Sequence, residues 1–201
     1  MTSEPRVPAS GRPRNPALDD AILRATQDQL IEHGFDGMTV DAVARAAGSG
    51  KAAVYRRWPS KTALVVASVR ALYAPPTVPD TGSLRGDLVA CALHYGQADG
   101  RAALVLASVL AELPRAPELR TAAFDAIGRP PALAMRTVME RWQQRGAIAP
   151  DAPIDLLVGI IPALAFRTVA FRRRPLDTPT IVETVDRVLL PALGAPSVAP
   201  T

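Results

Sequence analysis

Apolar residues recur at helical spacing along almost the whole chain, and no stretch shows the two-residue alternation of a half-buried strand. Leu18, Ile22, Thr26 and Leu30 step by four with Ala25 beside them, predicting a first helix. It starts at Asn15-Pro16, where an amide can cap and proline loses nothing, and stops at His33-Gly34 ahead of the anchor Phe35. Thr39, standing before Val40, Val43, Ala44 and Ala47 with Asp41 in the first turn, predicts a short threonine-capped helix that ends at Gly48. A second short segment, Lys51 to Trp58, is closed by Pro59, and Ser60 caps a helix from Lys61 to about Tyr73 that buries Leu64, Ala67, Ala71 and Leu72. Beyond Pro75, Pro76 and Pro79, six further helical segments are predicted near 83–98, 101–113, 117–127, 131–145, 154–172 and 178–193.

The predicted fold is all-α, with about nine or ten helices and no fixed-period repeat. Its divisions are a proline-rich disordered basic arm (1–14, with Arg6, Arg12 and Arg14), an N-terminal helical domain (15–75), a larger C-terminal helical domain (76–194) and a disordered tail (195–201). Segment 154–172 is apolar nearly all round and Pro162 is expected to kink it. Its uncharged run, Leu156 to Phe166, is well short of the roughly 20 residues that span a bilayer, so burial is expected and no membrane partner.

Composition adds less than position does. Lys and Arg total 23 against 19 Asp and Glu, a net +4 that permits an anionic partner without demanding one. Lys51 and Lys61 are the only lysines, and the excess of arginine, alanine and proline reads as GC-rich codon usage. Cys91 is the single cysteine, which excludes an intrachain disulfide and suits a reducing cytoplasm and a small buried hydrophobe. Early prolines and Glu4 speak against a secretory peptide, so a cytoplasmic location is expected.

Catalytic material is thin. His33 and His94 are the only histidines, and chance explains Cys91 standing three residues before His94. Gly48-Ser49-Gly50-Lys51 fails as a phosphate loop, because Arg45 and Ala52 stand where glycine and a hydroxyl residue are needed and no strand precedes it. No catalytic residue, metal site or cofactor is expected.

Residues 39–58 carry a different signature. A small Ala44 lies four positions before Gly48 and Val54 six after it, the spacing of a helix-turn-helix. Ala44 lets two helices cross closely, Gly48 supplies the left-handed turn, and Val43, Ala47 and Val54 fill the shared core. Arg45, Lys51, Arg56, Arg57 and Lys61 add five cations with no acid between positions 45 and 61. A short helix of this kind fits the major groove of DNA. Lys51, Ala52, Ala53 and Tyr55 are placed to meet base edges, Arg56 to meet guanine, Thr39 and Lys61 to meet phosphate, and Arg45 and Arg57 to make further backbone contacts. Trp58 is expected to pack on the first helix.

The run Gly34-Phe35-Asp36-Gly37-Met38-Thr39-Val40-Asp41-Ala42-Val43-Ala44-Arg45-Ala46-Ala47-Gly48, followed by Ala53-Val54-Tyr55-Arg56-Arg57-Trp58-Pro59-Ser60-Lys61, resembles the TetR family of bacterial transcriptional regulators. The likeness covers about residues 15–73 and only the outline of the rest. It implies a homodimer that binds a palindromic operator on double-stranded DNA, usually as a repressor, and leaves it when a small molecule enters the C-terminal domain. Ser49 and Gly50 depart from the family, which usually has an apolar residue and then serine there; glycine is an acceptable cap, Ser49 is a substitute candidate, and modestly lower affinity is expected.

Candidate effector contacts are His94, Tyr95, Phe124, Met135, Met139, Trp142 and Phe166, with Arg101 as a polar addition, a set that leans toward a hydrophobic or neutral ligand. Candidate dimer contacts on the last two long helices are Leu157, Ile161, Leu164, Ile181, Val185, Val188 and Leu189. Arg172-Arg173-Arg174 reads as solvated surface at a helix C-terminus. A second reading stays beside the regulator: a small-molecule-binding helical dimer whose DNA-binding half is weakened or inactive.

Overall fold

A computed structural model describes residues 15–96 and 99–194; the expected arm 1–14 and tail 195–201 lie outside them. Every regular element among the described residues is helical. The order is α1 (Pro16–Gly37), α2 (Val40–Ala46), α3 (Lys51–Tyr55), α4 (Lys61–Arg70), α5 (Leu84–Leu93), α6 (Gly100–Glu112), α7 (Pro117–Ala123), α8 (Arg129–Gln144), α9 (Ile154–Leu157), α10 (Ile160–Arg172), α11 (Thr178–Thr184) and α12 (Leu190–Ala192). A 3-10 turn (His94–Gly96) prolongs α5.

Local chemistry sets the starts of the first helices. The Ala17 amide donates to Asn15 Oδ1 at 3.2 Å and Pro16 fills the first turn. The amides of Ala42, Ala63 and Gly86 donate to the hydroxyls of Thr39, Ser60 and Ser83, so three helices begin on a side-chain acceptor. The stop expected at Gly34 is present as a left-handed residue (φ 68°), after which the chain regains a helical turn to Gly37.

Prolines act upstream of where they stand. The expected kink at Pro162 lies instead at Val158–Gly159, which separates α9 from α10. Proline has no N–H to donate and its ring crowds the carbonyl four residues earlier, here that of Val158. The same chemistry widens two helices into π turns. Arg129 N–H reaches back five residues to Phe124 O just before Pro130, and Leu190 N–H to Val185 O just before Pro191.

Two apolar cores result, and the first of them extends across the prolines. The first joins Ile22 and Leu30 of α1, Val43 of α2, Val54 of α3 and Leu64 and Val69 of α4 to Val105 and Val109 of α6 and Leu119 of α7. Trp58 packs at its edge, as expected. The second gathers α5, α8, α9, α10, α11 and α12 around Leu88, Val138, Met139, Ile161, Ile181 and Leu189. Helices α6 and α7 thus complete the core of the N-terminal helices, and α4 buries Leu64, Val65, Val66 and Val69, whereas Ala71 of the expected face is exposed.

Joints between α5, α8 and the preceding loop centre on Asp87, whose carboxylate is wholly buried. It accepts from Thr81 N–H (2.6 Å), Thr81 Oγ1 (2.7 Å), Arg141 Nη2 (2.7 Å) and Trp142 Nε1 (2.7 Å). Burial alone would raise its pKa, but these donors outweigh it and hold the group below the ordinary carboxylate range. Gly96 makes another close joint: a Cβ there would lie 2.9 Å from both Ile181 Cδ1 and Leu176 O.

Candidate nucleic-acid interface and adjoining cavity

Helices α2 and α3 meet through a turn in which Gly48 takes φ +62°, the left-handed geometry expected of it. Val43, Ala44 and Val54 are buried against α1, which fixes how α3 is presented. The outward face of α3 then carries Lys51, Ala52, Tyr55 and the flanking Arg56, all exposed, with Ala53 half-buried. Ser49 does not cap α3: Gly50 occupies the cap without a side-chain bond, because the Ser49 hydroxyl turns to donate to Gly50 O at 3.4 Å.

The five cations separate into different environments. Arg45 and Arg56 are exposed and, among the described residues, form no ion pair. Lys51 Nζ sits 2.8 Å from Asp41 in an exposed pair whose hydrogen bond raises the lysine pKa, so its charge is present but leaned toward α2. Lys61 lies at the start of α4, 4.6 Å over the Phe35 ring and 3.3 Å from Asp36 O, where partial burial lowers its pKa. Arg57 departs from expectation. Its Nε donates to Asp19 and its Nη1 to Ala53 O (3.0 Å), both side chains being largely covered, so it ties α3 to α1 instead of facing outward. Thr39 Oγ1 accepts from Ala42 N–H, which leaves its O–H to donate outward.

A cavity of about 910 Å³ opens behind this head, walled by α4, α6, α7, α8 and α10. His94, Tyr95, Phe124 and Phe166 of the expected set line it. Met135, Met139, Trp142 and Arg101 do not. Met135 and Met139 are fully buried in the second core. Trp142 is engaged by Asp87, and Arg101 joins α6 to α1 through Asp28 (2.7 Å) and Gln27 (3.3 Å). Sequence reasoning missed Tyr73, Leu106, Leu110 and Ile127, which line the cavity from the end of α4, from α6 and from the π turn.

Burial lowers the pKa of His94 and pushes the Tyr73 phenol up to about 12, so both are neutral near pH 7. The three rings form a contiguous cluster, with His94 edge-on to Tyr95 at 5.6 Å and tilted to Tyr73 at 6.1 Å. Burial pushes the Cys91 thiol up to about 11, which leaves it protonated at neutral pH.

The expected dimer residues divide as well. Leu157, Ile161, Ile181, Val185 and Leu189 are packed inside their own chain and present nothing to a second one. Leu164 is partly buried and Val188 is 44% exposed. Leu156 and Phe166, at 67% and 50%, are exposed where the sequence suggested a buried run, as is Phe171 beyond it at 83%, and only about a third of Ile154–Arg172 is covered. A helix apolar all round does not reveal which side its own chain fills.

Residues 22–68 match the family described as bacterial regulatory proteins, tetR family, and residues 78–188 match the tetracyclin repressor-like C-terminal domain. The chain is 34% identical over 198 residues to an HTH-type transcriptional regulator of Mycobacterium tuberculosis, covering 96% of this chain and 94% of that one. It is 31% identical over 176 residues to a DNA-binding transcriptional repressor of Mycobacteroides abscessus, covering 85% and 90%. A solved chain from Mesorhizobium loti assigned to the same regulators superposes with a TM-score of 0.67 at 18% identity, covering 91% of this chain and 98% of its own length. Head, cavity-bearing body and sequence kinship agree: the chain belongs to the TetR family of helix-turn-helix, DNA-binding transcriptional regulators.

Proposed function

We propose that the protein is a cytoplasmic, ligand-released repressor without catalytic activity, acting as a homodimer on a palindromic operator. The observation that carries this reading is the double use of α4. Its Leu64, Val65 and Val69 belong to the core that holds α3, while its Ala67, Arg70 and Ala71 line the cavity. A molecule filling the cavity therefore presses on the helix that sets the pose of the DNA-reading head. Leu156, Phe171 and Val188 are exposed apolar side chains available to a second copy, whose two-fold axis would match an inverted repeat.

Individual residues take distinct roles. Arg56 reads a base edge, Ala52 and Tyr55 make groove contacts beside it, and Thr39, Arg45, Lys51 and Lys61 hold phosphate, Lys51 after parting from Asp41. That pair is exposed and screened by solvent, so its exchange for a phosphate costs little. The test is fluorescence anisotropy on DNA flanking the gene, against random duplex. Arg56→Ala is expected to lose about 1–3 kcal/mol on the operator and to relax sequence preference, whereas Lys61→Ala weakens all sequences alike. Equal losses for Arg56→Ala on both DNAs would reassign it to phosphate.

The uncapped start of α3 supports the second reading, a helical dimer with a weakened DNA-binding half. Its magnitude argues otherwise. Glycine in place of serine at a cap costs a few tenths of a kcal/mol, about a twofold change in affinity at most.

A further inference from the structure

The charges around the cavity are all of one effective sign. Arg70 at the end of α4 and Arg120 of α7 both line it, both are exposed, and among the described residues neither forms an ion pair. The one carboxylate in the wall, Asp155, is neutralised by Arg136 at 2.5 Å. His94 is held neutral by its burial. Apart from the hydroxyls of Tyr73 and Tyr95, unpartnered among the described residues, the remainder of the wall is mainly apolar, from Leu106, Leu110, Leu113 and Val169 to the Phe124 and Phe166 rings. A volume of about 910 Å³ is at the upper end of small-molecule pockets, roughly 300–1,000 Å³.

We propose, building on the reading of this cavity as the effector site, that its ligand is an anionic amphiphile: an acyl or similarly extended apolar body in the interior with a carboxylate or phosphate head held by Arg70 and Arg120. Guanidinium groups match both oxyanions through paired N–H donors and stay charged at any physiological pH. An uncharged ligand would leave both guanidinium groups to solvent and gain no charge-assisted bond from them. A cationic one would meet repulsion from both. The proposal keeps the apolar body of the hydrophobic-or-neutral preference expected from side-chain types alone and departs from it in the charge of the head, because that preference counted aromatic and aliphatic residues and did not see which arginines the fold brings to the wall.

The test measures binding to the full-length protein without DNA, by calorimetry, using four probes of equal chain length below their micelle concentrations. Dodecanoate and dodecyl phosphate are expected to bind at least tenfold more tightly than dodecanol or dodecyltrimethylammonium, and the better of the two anions identifies the head. Arg70→Gln and Arg120→Gln should each abolish most of that preference while leaving dodecanol affinity unchanged, which also reports that the cavity is still folded. Arg70→Lys and Arg120→Lys should retain it in part. Dodecanol binding as tightly as the anions, no binding of any probe, or a preference that survives both glutamine variants would overturn the proposal. Release from DNA is measured separately: an anion that binds yet leaves the DNA complex intact contradicts the repressor mechanism and not the ligand class.

Discussion

Asp87 shows how much a single side chain holds together. Its four donors come from the loop before α5 and from α8, so removing the charge loosens three segments at once. Breaking the pair from one side leaves Arg141 only Asp80, 4.0 Å away, as a counter-charge, and Asp87→Asn is expected to cost about 3 kcal/mol at pH 7, read by urea unfolding. The sign with pH follows from the lowered pKa. The contribution is present above the unfolded value, about 3.9, and is lost as pH falls through the lower folded value, so the gap between wild type and variant should begin to narrow only below about pH 3.9 and close below the folded value. This residue was within reach of the sequence: it lies on the stripe Leu84, Asp87, Leu88, Cys91, and an acid on a buried stripe needs donors. Arg57 was not. One arginine of the adjacent pair turns to Asp19 and the other outward because of how α3 rests on α1, a tertiary relation that spacing cannot show. Arg57→Ala should therefore lower the melting temperature as well as affinity for every DNA, whereas Arg56→Ala should leave the melting temperature unchanged.

At the scale of elements, starts were more legible than interruptions. Caps act on the next two or three residues, so Asn15, Thr39, Ser60 and Ser83 announce helices where they stand. A proline acts on the carbonyl four residues earlier, which is why the break expected at Pro162 falls at Val158–Gly159 and why two π turns precede Pro130 and Pro191. Gly96, at the end of the 3-10 turn, is a close contact, since Leu176 O and Ile181 leave no room for a methyl group. Gly96→Ala is expected to destabilise by about 1–3 kcal/mol, and Gly100→Ala, where the space is open, by far less; parallel urea titrations decide this.

Over the whole molecule, the helix-turn-helix was readable because its chemistry is local, whereas cavity and interface are made by remote neighbours. Four of the seven candidate effector residues line the cavity and three face elsewhere, as packing of α8 against α5 claims Met135, Met139 and Trp142. The proposed dimer has the same history: periodicity marked the helices, but packing of α9 on α8 accompanies a buried Leu157 and an exposed Leu156. Combining Leu156→Asp with Phe171→Asp should shift sedimentation from dimer to monomer with little change in helicity. A dimer that persists would place the interface elsewhere.

The most direct test of the regulator account is selection from random duplex DNA with the purified full-length protein, run beside Arg56→Ala. The predicted result is enrichment of an inverted repeat bound with a salt slope of about −0.9 per phosphate contact, and loss of that enrichment in the variant. Failure of any sequence to enrich, or an enriched site that Arg56→Ala binds equally well, would contradict it.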